Sequence, residues 1–477
     1  MDFLPIAIFW LLALIGLFSR KPQFLLYLFF ASMSFGAFAV IPTNLTGGLT
    51  FTATPMVALL IIARTLGNDK GFAYLYQTLL APRGFLLLCL FWVIAVIVTL
   101  FMPRLFAGEV EIIPMRLTLF MRTDMLQPTT QNISQLAYLT ISIAAVPAFA
   151  RLMSTEAMRQ QTLKALCFGG AIVIGTGLLD FLSQYMPLKP VLAPFRTATY
   201  ALLTEVDIAG GTKRVVGLMP EASAYGALCI SFLTGIYFFR RAMISERLRQ
   251  FLVPALLGLL LIFTWLSTSS AAYVALVVLG GAMGAEWLWR AIQKRHRGLK
   301  RDLGLEMAIA FAVIIGLCLI FLFSPRLFDP IIALFNEMVL KKSSTSSFEE
   351  RSMWTAISWQ ALLDTYGLGV GMGGTRASNS VVAVFSSTGF LGGLCYYGFV
   401  LQTILRRAAS NDDTGAALLN AVRWSLLPGL VTGLLIGTTA DFGAFNAWLY
   451  GLAAAAAFAA YGVRPGLSPK TGFRPKK

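Results

Sequence analysis

Histidine is almost missing from this 477-residue chain: His296, inside the run Lys294-Arg295-His296-Arg297, is the only one. A Ser-His-Asp triad, a Cys-His pair and a histidine-based zinc site are therefore excluded as working hypotheses. Cysteine is scarce too. Cys89, Cys167, Cys229, Cys318 and Cys395 all sit in apolar runs without CxxC spacing, which reads as small packing residues and not as metal ligands or a disulfide framework. Charged residues make up only 13% of the chain, about half the usual share of a soluble domain, so an ordinary cytosolic enzyme is excluded. Chemistry here must come from arginine, lysine, carboxylates and hydroxyls, with no metal and no cofactor expected.

What the chain has instead is apolar length. Residues of apolar or aromatic type make up 57% of it, and about 20 of them suffice for one bilayer crossing. Apolar segments can be drawn at 3–18, 23–41, 49–66, 85–102, 132–150, 165–186, 218–239, 251–268, 271–289, 305–323, 380–405, 424–440 and 444–461. The expectation is an all-α polytopic membrane protein forming a single transmembrane domain over 1–477, with twelve to fourteen spans. The first segment lacks a basic stretch before it and a small-residue cleavage site after it, so it is expected to be retained. The net charge of +16 would suggest nucleic acid in a soluble protein. Here the loops divide it, with 26 basic and 8 acidic residues on one side, a net +18, and 12 basic and 14 acidic on the other, a net −2. The positive-inside rule places the first side in the cytoplasm, together with a basic tail at 462–477, and no nucleic-acid partner is expected.

Two stretches on the acidic side are too long to be turns, 187–217 and 324–379, and long connections in compact proteins are often functional. In the second, Phe328, Ile331, Ile332, Leu334, Phe335, Met338 and Val339 share one helical face, the pattern of an interfacial helix. After a hydroxyl-rich linker, Ser347 and Glu350 have capping-box spacing for a helix ending near Asp364. Arg351 would fall in its first turn, against the macrodipole; either a nearby anion or a pair with Glu349 or Glu350 would explain it. Gly367-Leu-Gly-Val-Gly-Met-Gly-Gly374 mimics a dinucleotide fingerprint but follows no strand, and fits better a loop using positive φ or close backbone approach. Arg376 ends it. The first stretch closes on Lys213-Arg214 and leads through Pro220 to Glu221, just inside a span, where a carboxylate usually faces a cavity or a partner. A simple helix-start pair with Arg214 is the other reading.

Four pieces in order resemble the O-antigen polymerase and ligase superfamily, the Wzy-type enzymes. They are Arg214-Val-Val-Gly217 through Glu221-Ala-Ser223; Ser267-Thr-Ser-Ser270-Ala-Ala-Tyr273; Arg351-Ser-Met-Trp354 through Gly367-Leu-Gly369-Val-Gly371; and Ser378-Asn379 through Ser387-Thr-Gly-Phe-Leu-Gly-Gly393. The resemblance covers roughly 210–400. It implies a GT-C-like helical fold in a bacterial inner membrane and inverting glycosyl transfer at the periplasmic face. Donor and acceptor would be polyprenyl-diphosphate-linked glycans, such as those on undecaprenyl diphosphate, with a chain-length regulator as a candidate partner. The superfamily's ligases carry a functional histidine where this chain has Ser378, so the resemblance favours a polymerase over a ligase that transfers glycan to lipid A or protein. A transporter or flippase of lipid-linked sugars is the alternative from another class. It would concentrate charge near the midplane of its spans.

A diphosphate leaving group needs its growing charge held, and without a metal that falls to guanidinium groups. Arg214 and Arg351 are the first candidates, then Arg376 and Arg196. Glu221 is the candidate proton acceptor for the attacking hydroxyl. Trp354, Trp359 and Tyr366 are candidates for stacking on sugar rings, unless they serve packing or anchor the interface.

Overall fold

The structure, a computed structural model, describes residues 3–46, 50–115, 123–199, 202–204, 213–292, 346–410 and 412–458, plus isolated positions between 303 and 323. It is mostly helical, at 73%. In chain order the helices are α1 Phe3–Phe18, α2 Gln23–Ser32, α3 Ala53–Leu66, α4 Asp69–Leu79, α5 Leu86–Leu105, α6 Thr130–Leu152, α7 Glu156–Leu182, α8 Lys189–Leu192, α9 Ala222–Phe239, α10 Val253–Leu266, α11 Ser270–Ile292, α12 Ser346–Asp364, α13 Ser380–Leu405, α14 Asp413–Ile436 and α15 Gly443–Phe458. A two-residue hairpin, β1 Glu111–Ile112 against β2 Asp124–Met125, lies between α5 and α6. Among the described residues eight helices are long and apolar enough to cross a membrane: α5, α6, α7, α9, α10 with its preceding turn, α11, α13 and α14. Four shorter apolar ones join them: α1, α2, α3 and α15.

Helix α5 shows why these segments are membrane helices. Leu88, Phe91, Ala95 and Met102 are buried, yet Leu90, Val93, Ile97 and Phe101 on the opposite side are exposed and just as apolar. A helix apolar all round belongs in a large core or in lipid. Between helices, small residues allow close approach where water gives no hydrophobic drive. At Gly451 of α15 an added Cβ would come within 2.5 Å of the Phe149 side chain and 2.8 Å of the Val146 carbonyl oxygen on α6. Trp448 closes the centre, its ring edge-on to Phe30 and Phe445 and its indole N–H donating to Thr162 Oγ1 at 3.1 Å.

The bundle has two unlike ends. One end gathers the arginines that follow or precede spans, and we refer to it as the basic end; the other, the loop end, carries the long connections. Several expected boundaries shift. The segment 23–41 yields a helix only to Ser32, after which 33–46 runs irregularly under the loop end, with Ala37 N–H donating to the Leu218 carbonyl at 2.9 Å. Helix α4 was not anticipated: Asn68 caps it, and it packs beside α3 and α5 at the basic end. A third long connection, 106–129, joins the two expected ones. The α12 helix opens at Ser346, so Ser347 is not its cap and Arg351 is its sixth residue, beyond the first turn. The amphipathic stretch 328–339, the linker at 341–345 and the tail at 462–477 lie outside the described residues, as do most of 305–323 and residues 205–212 of the first loop.

The largest departure is α13. The expected single span breaks at Gly389, whose φ of 72° and ψ of 178° no helix accepts. The two arms fold back on each other, with Phe385 stacked on Tyr397 at 5.8 Å and Ser380 hydrogen-bonded to Tyr397. Breaking a helix inside an apolar bundle frees backbone groups that must find partners. The glycine loop supplies them: Val370 N–H donates to Ser386 O at 2.8 Å and Phe390 N–H to Gly367 O at 2.9 Å. That loop has positive φ at alternate glycines, Gly367, Gly369, Gly371 and Gly373. It is clamped from below, since Met372 N–H donates to Thr99 Oγ1 at 3.0 Å and Met372 O accepts from Asn132 Nδ2 at 2.8 Å. Its glycines serve backbone packing against protein.

Candidate functional site

At the loop end three distant segments converge on Arg376. Its backbone is held from two sides: its N–H donates to Ile113 O beside β1 at 2.9 Å, and its carbonyl accepts from Ser358 Oγ of α12 at 3.1 Å. Thr375 closes the junction, bonded to Ser358 Oγ at 2.9 Å and accepting from Ile113 N–H at 3.2 Å. The guanidinium lies over the Trp354 ring at 4.3 Å, a cation–π contact that fixes its plane. Burial pulls the Arg376 guanidinium below its ordinary value, Glu221 and Glu350 pull it back up, and Arg351 acts in the same direction as burial. Glu221 from α9, Glu350 and Arg351 from α12, and Arg376 are thus one electrostatic group.

Glu221 is the N-cap residue of α9 in backbone conformation, but its side chain does not cap the helix. It accepts instead from the Ser223 hydroxyl. The alternative of a helix-start pair with Arg214 is not what forms: among the described residues no salt bridge involves Glu221. Nor does Arg351 pair with Glu349 or Glu350. Arg214, Arg351 and Arg376 are all without a carboxylate at ion-pair distance among the described residues, and the Nε atoms of Arg214 and Arg376 are buried with no hydrogen-bond partner. Arg214 stands within electrostatic reach of Tyr273, which follows the tight α10–α11 turn. In that turn Thr268 has a φ of 46°, strained for a β-branched residue. It packs on α9 through Gly226, where a Cβ would meet Ser267 Oγ at 2.8 Å.

Arg196 is placed differently from the other three. Its Nη2 donates to Asp180 Oδ1 at 2.7 Å and to Gly217 O at 2.9 Å, so its charge is spent on a buried carboxylate. The sugar-stacking candidates also separate. Trp354 is buried beneath Arg376 and acts as its platform. Trp359 is exposed and edge-on to Phe390 at 6.5 Å. Tyr366 is 87% exposed with a φ of 53°, free on the loop-end surface beside Phe106. Asn379 caps the first arm of α13, accepting from Val381 N–H at 2.9 Å, and Ser378 is buried with a weak bond to Leu435 O at 3.4 Å.

Residues that sequence reasoning missed include Asp180, Ile113, Ser358 and Thr375, which position the arginine-bearing segments. Another is Asp441, in the α14–α15 turn. It accepts from Gly443 N–H at 3.0 Å and bonds the Ser142 hydroxyl, and burial pushes its carboxyl above the usual range. Asp180 alone left a readable signal, an acid in the last turn of an apolar helix, where the macrodipole disfavours it. The described residues contain no group of three or more histidines, cysteines or carboxylates that could hold a metal ion. Grooves lined by Arg83, Gln402 and Arg406 and by Arg247, Leu248 and Phe251 open at the basic end, away from these residues.

The fold and this cluster define a polytopic helical membrane protein with a group of arginines and carboxylates at one end. A comparison with protein-family models finds none that matches the chain, and a comparison with curated proteins finds no match either.

Proposed function

We propose that the protein is a metal-independent, inverting glycosyltransferase of the membrane, with a GT-C-like arrangement of twelve to fourteen helices. It joins polyprenyl-diphosphate-linked oligosaccharide repeats into a surface polysaccharide at the periplasmic face of a bacterial inner membrane. The basic end and the C-terminus face the cytoplasm in this reading. The observation that carries it is Arg376, held by Ile113 and Ser358 over the Trp354 ring without an ion-pair partner among the described residues, with Arg351 and the carboxylates of Glu221 and Glu350 within electrostatic reach of it.

The chemistry suits that set. The acceptor hydroxyl oxygen attacks the anomeric carbon of the donor, the bond from that carbon to the diphosphate oxygen breaks, and the diphosphate leaves with the electron pair. One displacement inverts the anomeric centre. Glu221 takes the hydroxyl proton, while Arg214, Arg351 and Arg376 hold the charge growing on the leaving group, each charge-assisted hydrogen bond contributing about 1.5–3 kcal/mol. Guanidinium groups left without protein partners are suited to this, because no internal pair has to break before ligand binds.

A ligase is the second reading and is disfavoured by Ser378 and by the cap role of Asn379, which accounts for that motif structurally. A flippase is disfavoured by where the unpaired cations sit, at one end and not along the midplane. Incubating purified protein with lipid-linked repeat units, followed by chain-length analysis, tests the proposal. Longer chains are expected; donor moved across a bilayer with no chain growth would refute it.

A further inference from the structure

The Asp180 carboxylate is fully buried, with 0% of it exposed, and it sits two residues from the C-terminal end of α7. A buried carboxylate there is costly unless well paired. Three of its four donors come from one stretch of the first loop, 213–217, and the fourth is Arg196 earlier in the same loop. Arg196 Nη2 lies at 2.7 Å, Val216 N–H at 2.7 Å, Gly217 N–H at 3.0 Å and Lys213 Nζ at 3.5 Å. The stretch is also tied down elsewhere. Val215 N–H donates to Leu266 O at 3.2 Å, and Pro220 O accepts from Leu203 N–H at 2.8 Å. Residues 213–221 therefore form a fixed strap, with Arg214 near one end and Glu221 at the other. Of its three neighbouring cations, two are neutralised by Asp180. The third, Arg214, is flanked by residues the carboxylate holds and has no ion-pair partner of its own.

We propose that Asp180 is a positioning residue: it clasps the strap and absorbs Arg196 and Lys213, so that Arg214 alone is presented to the diphosphate and Glu221 is held at a fixed place relative to it. The identity of the ligand rests on the polymerase reading above; the clasp does not. Asp180→Asn is the direct probe, since it keeps the volume and an acceptor for the amides while losing the charge that binds Arg196 and Lys213.

In the full-length protein in detergent, amide hydrogen exchange over 213–221 should quicken about tenfold or more in Asp180→Asn while the thermal transition stays within a few degrees. Affinity for undecaprenyl diphosphate should fall about tenfold in Asp180→Asn and in Arg214→Ala, and the double variant should be no weaker than Arg214→Ala alone. Unchanged exchange over 213–221 overturns the clasp, and a full second tenfold loss in the double variant overturns action through Arg214. If the wild-type protein does not bind undecaprenyl diphosphate, the polymerase reading fails, while the exchange measurement still decides the clasp. Should Asp180→Asn not fold, Arg196→Gln with Lys213→Gln removes the same pairs from the other side, with the same exchange result expected and the same result overturning it.

Discussion

Most described arginines at the basic end are used differently from three at the loop end, Arg214, Arg351 and Arg376. At the basic end nearly every described guanidinium closes a helix terminus or meets a carboxylate. Arg64 donates to Ser19 O after α1, Arg151 to Thr65 O in the last turn of α3, and Arg159 to Met153 O after α6 and Ala455 O of α15. Arg406 donates to Gly84 O at 2.9 Å between Phe85 and Phe458, and Arg423 to Arg406 O at 2.6 Å. Arg240, Arg241 and Arg290 share Glu286 and Glu306. Orphan carbonyls at helix C-termini attract cations, so the cations of the basic end also finish its helices. At the loop end Arg214, Arg351 and Arg376 do none of this. The partnered arginines are structural; under the proposed function, the three without a carboxylate partner are the ones that meet the diphosphate. The difference makes separable predictions.

The largest effect is expected at Glu221. Replacing it by Gln keeps shape and the bond from Ser223 but removes the proton acceptor, and polymer formation should fall roughly 10²–10⁴-fold, the usual worth of a general base. Binding of lipid-linked donor and the thermal transition should hardly move. Retained turnover would assign the proton to another group. Next come Arg376→Ala and Arg351→Ala, each expected to lower turnover about 10²-fold through lost stabilisation of the leaving diphosphate. Arg376→Ala carries an added structural cost because Trp354 loses its cover. Arg376→Lys separates the two effects: it retains charge but not the planar contact with the ring.

The opposite pattern is expected for Arg406→Met. Two carbonyls, of Arg83 and Gly84, would lose their donor in a buried site, at about 2–4 kcal/mol. A lower thermal transition is expected, with turnover per folded molecule unchanged. If a basic-end arginine proved to control turnover and a loop-end one only stability, the division drawn between the two ends would be wrong.

Much of this division was readable from sequence, but unevenly. Lys and Arg spacing separated the two ends because it follows from where spans stop, and the end of a helix at Asp364 followed from local signals, although its expected Ser347 cap did not. The break at Gly389 was not readable. Ser380–Leu405 carries no charged residue and no proline, and although Ser386-Ser387-Thr388 precede the break, what stops the helix is a set of hydrogen bonds to a loop some twenty residues earlier. Helix α2 likewise looks nine residues longer than it is, because 33–41 is apolar for packing under the first loop. The site was legible as residue types in two loops. Its assembly was not, since Arg376 is placed by Ile113 and Ser358, and Arg196 is withdrawn by Asp180, through contacts that leave no local spacing.

The smallest predicted effect concerns Asp441, in the α14–α15 turn, which has no cation at ion-pair distance among the described residues. Burial raises its value in the folded protein above the ordinary carboxylate range, and the bonds from Gly443 and Ser142 offset this only in part. The folded state then holds a proton that the unfolded state has released over the interval between the two values. Stability from this group is therefore present below the unfolded value and is lost as pH rises through the folded one. Asp441→Asn cannot ionise and should flatten that part of the curve, so its thermal transition should match wild type at low pH and exceed it near neutrality. Polymer formation by Asp441→Asn should remain within a few-fold of wild type if Glu221 takes the proton. A collapse of turnover in Asp441→Asn with Glu221→Gln active would move the acid–base role from Glu221 to the α14–α15 turn.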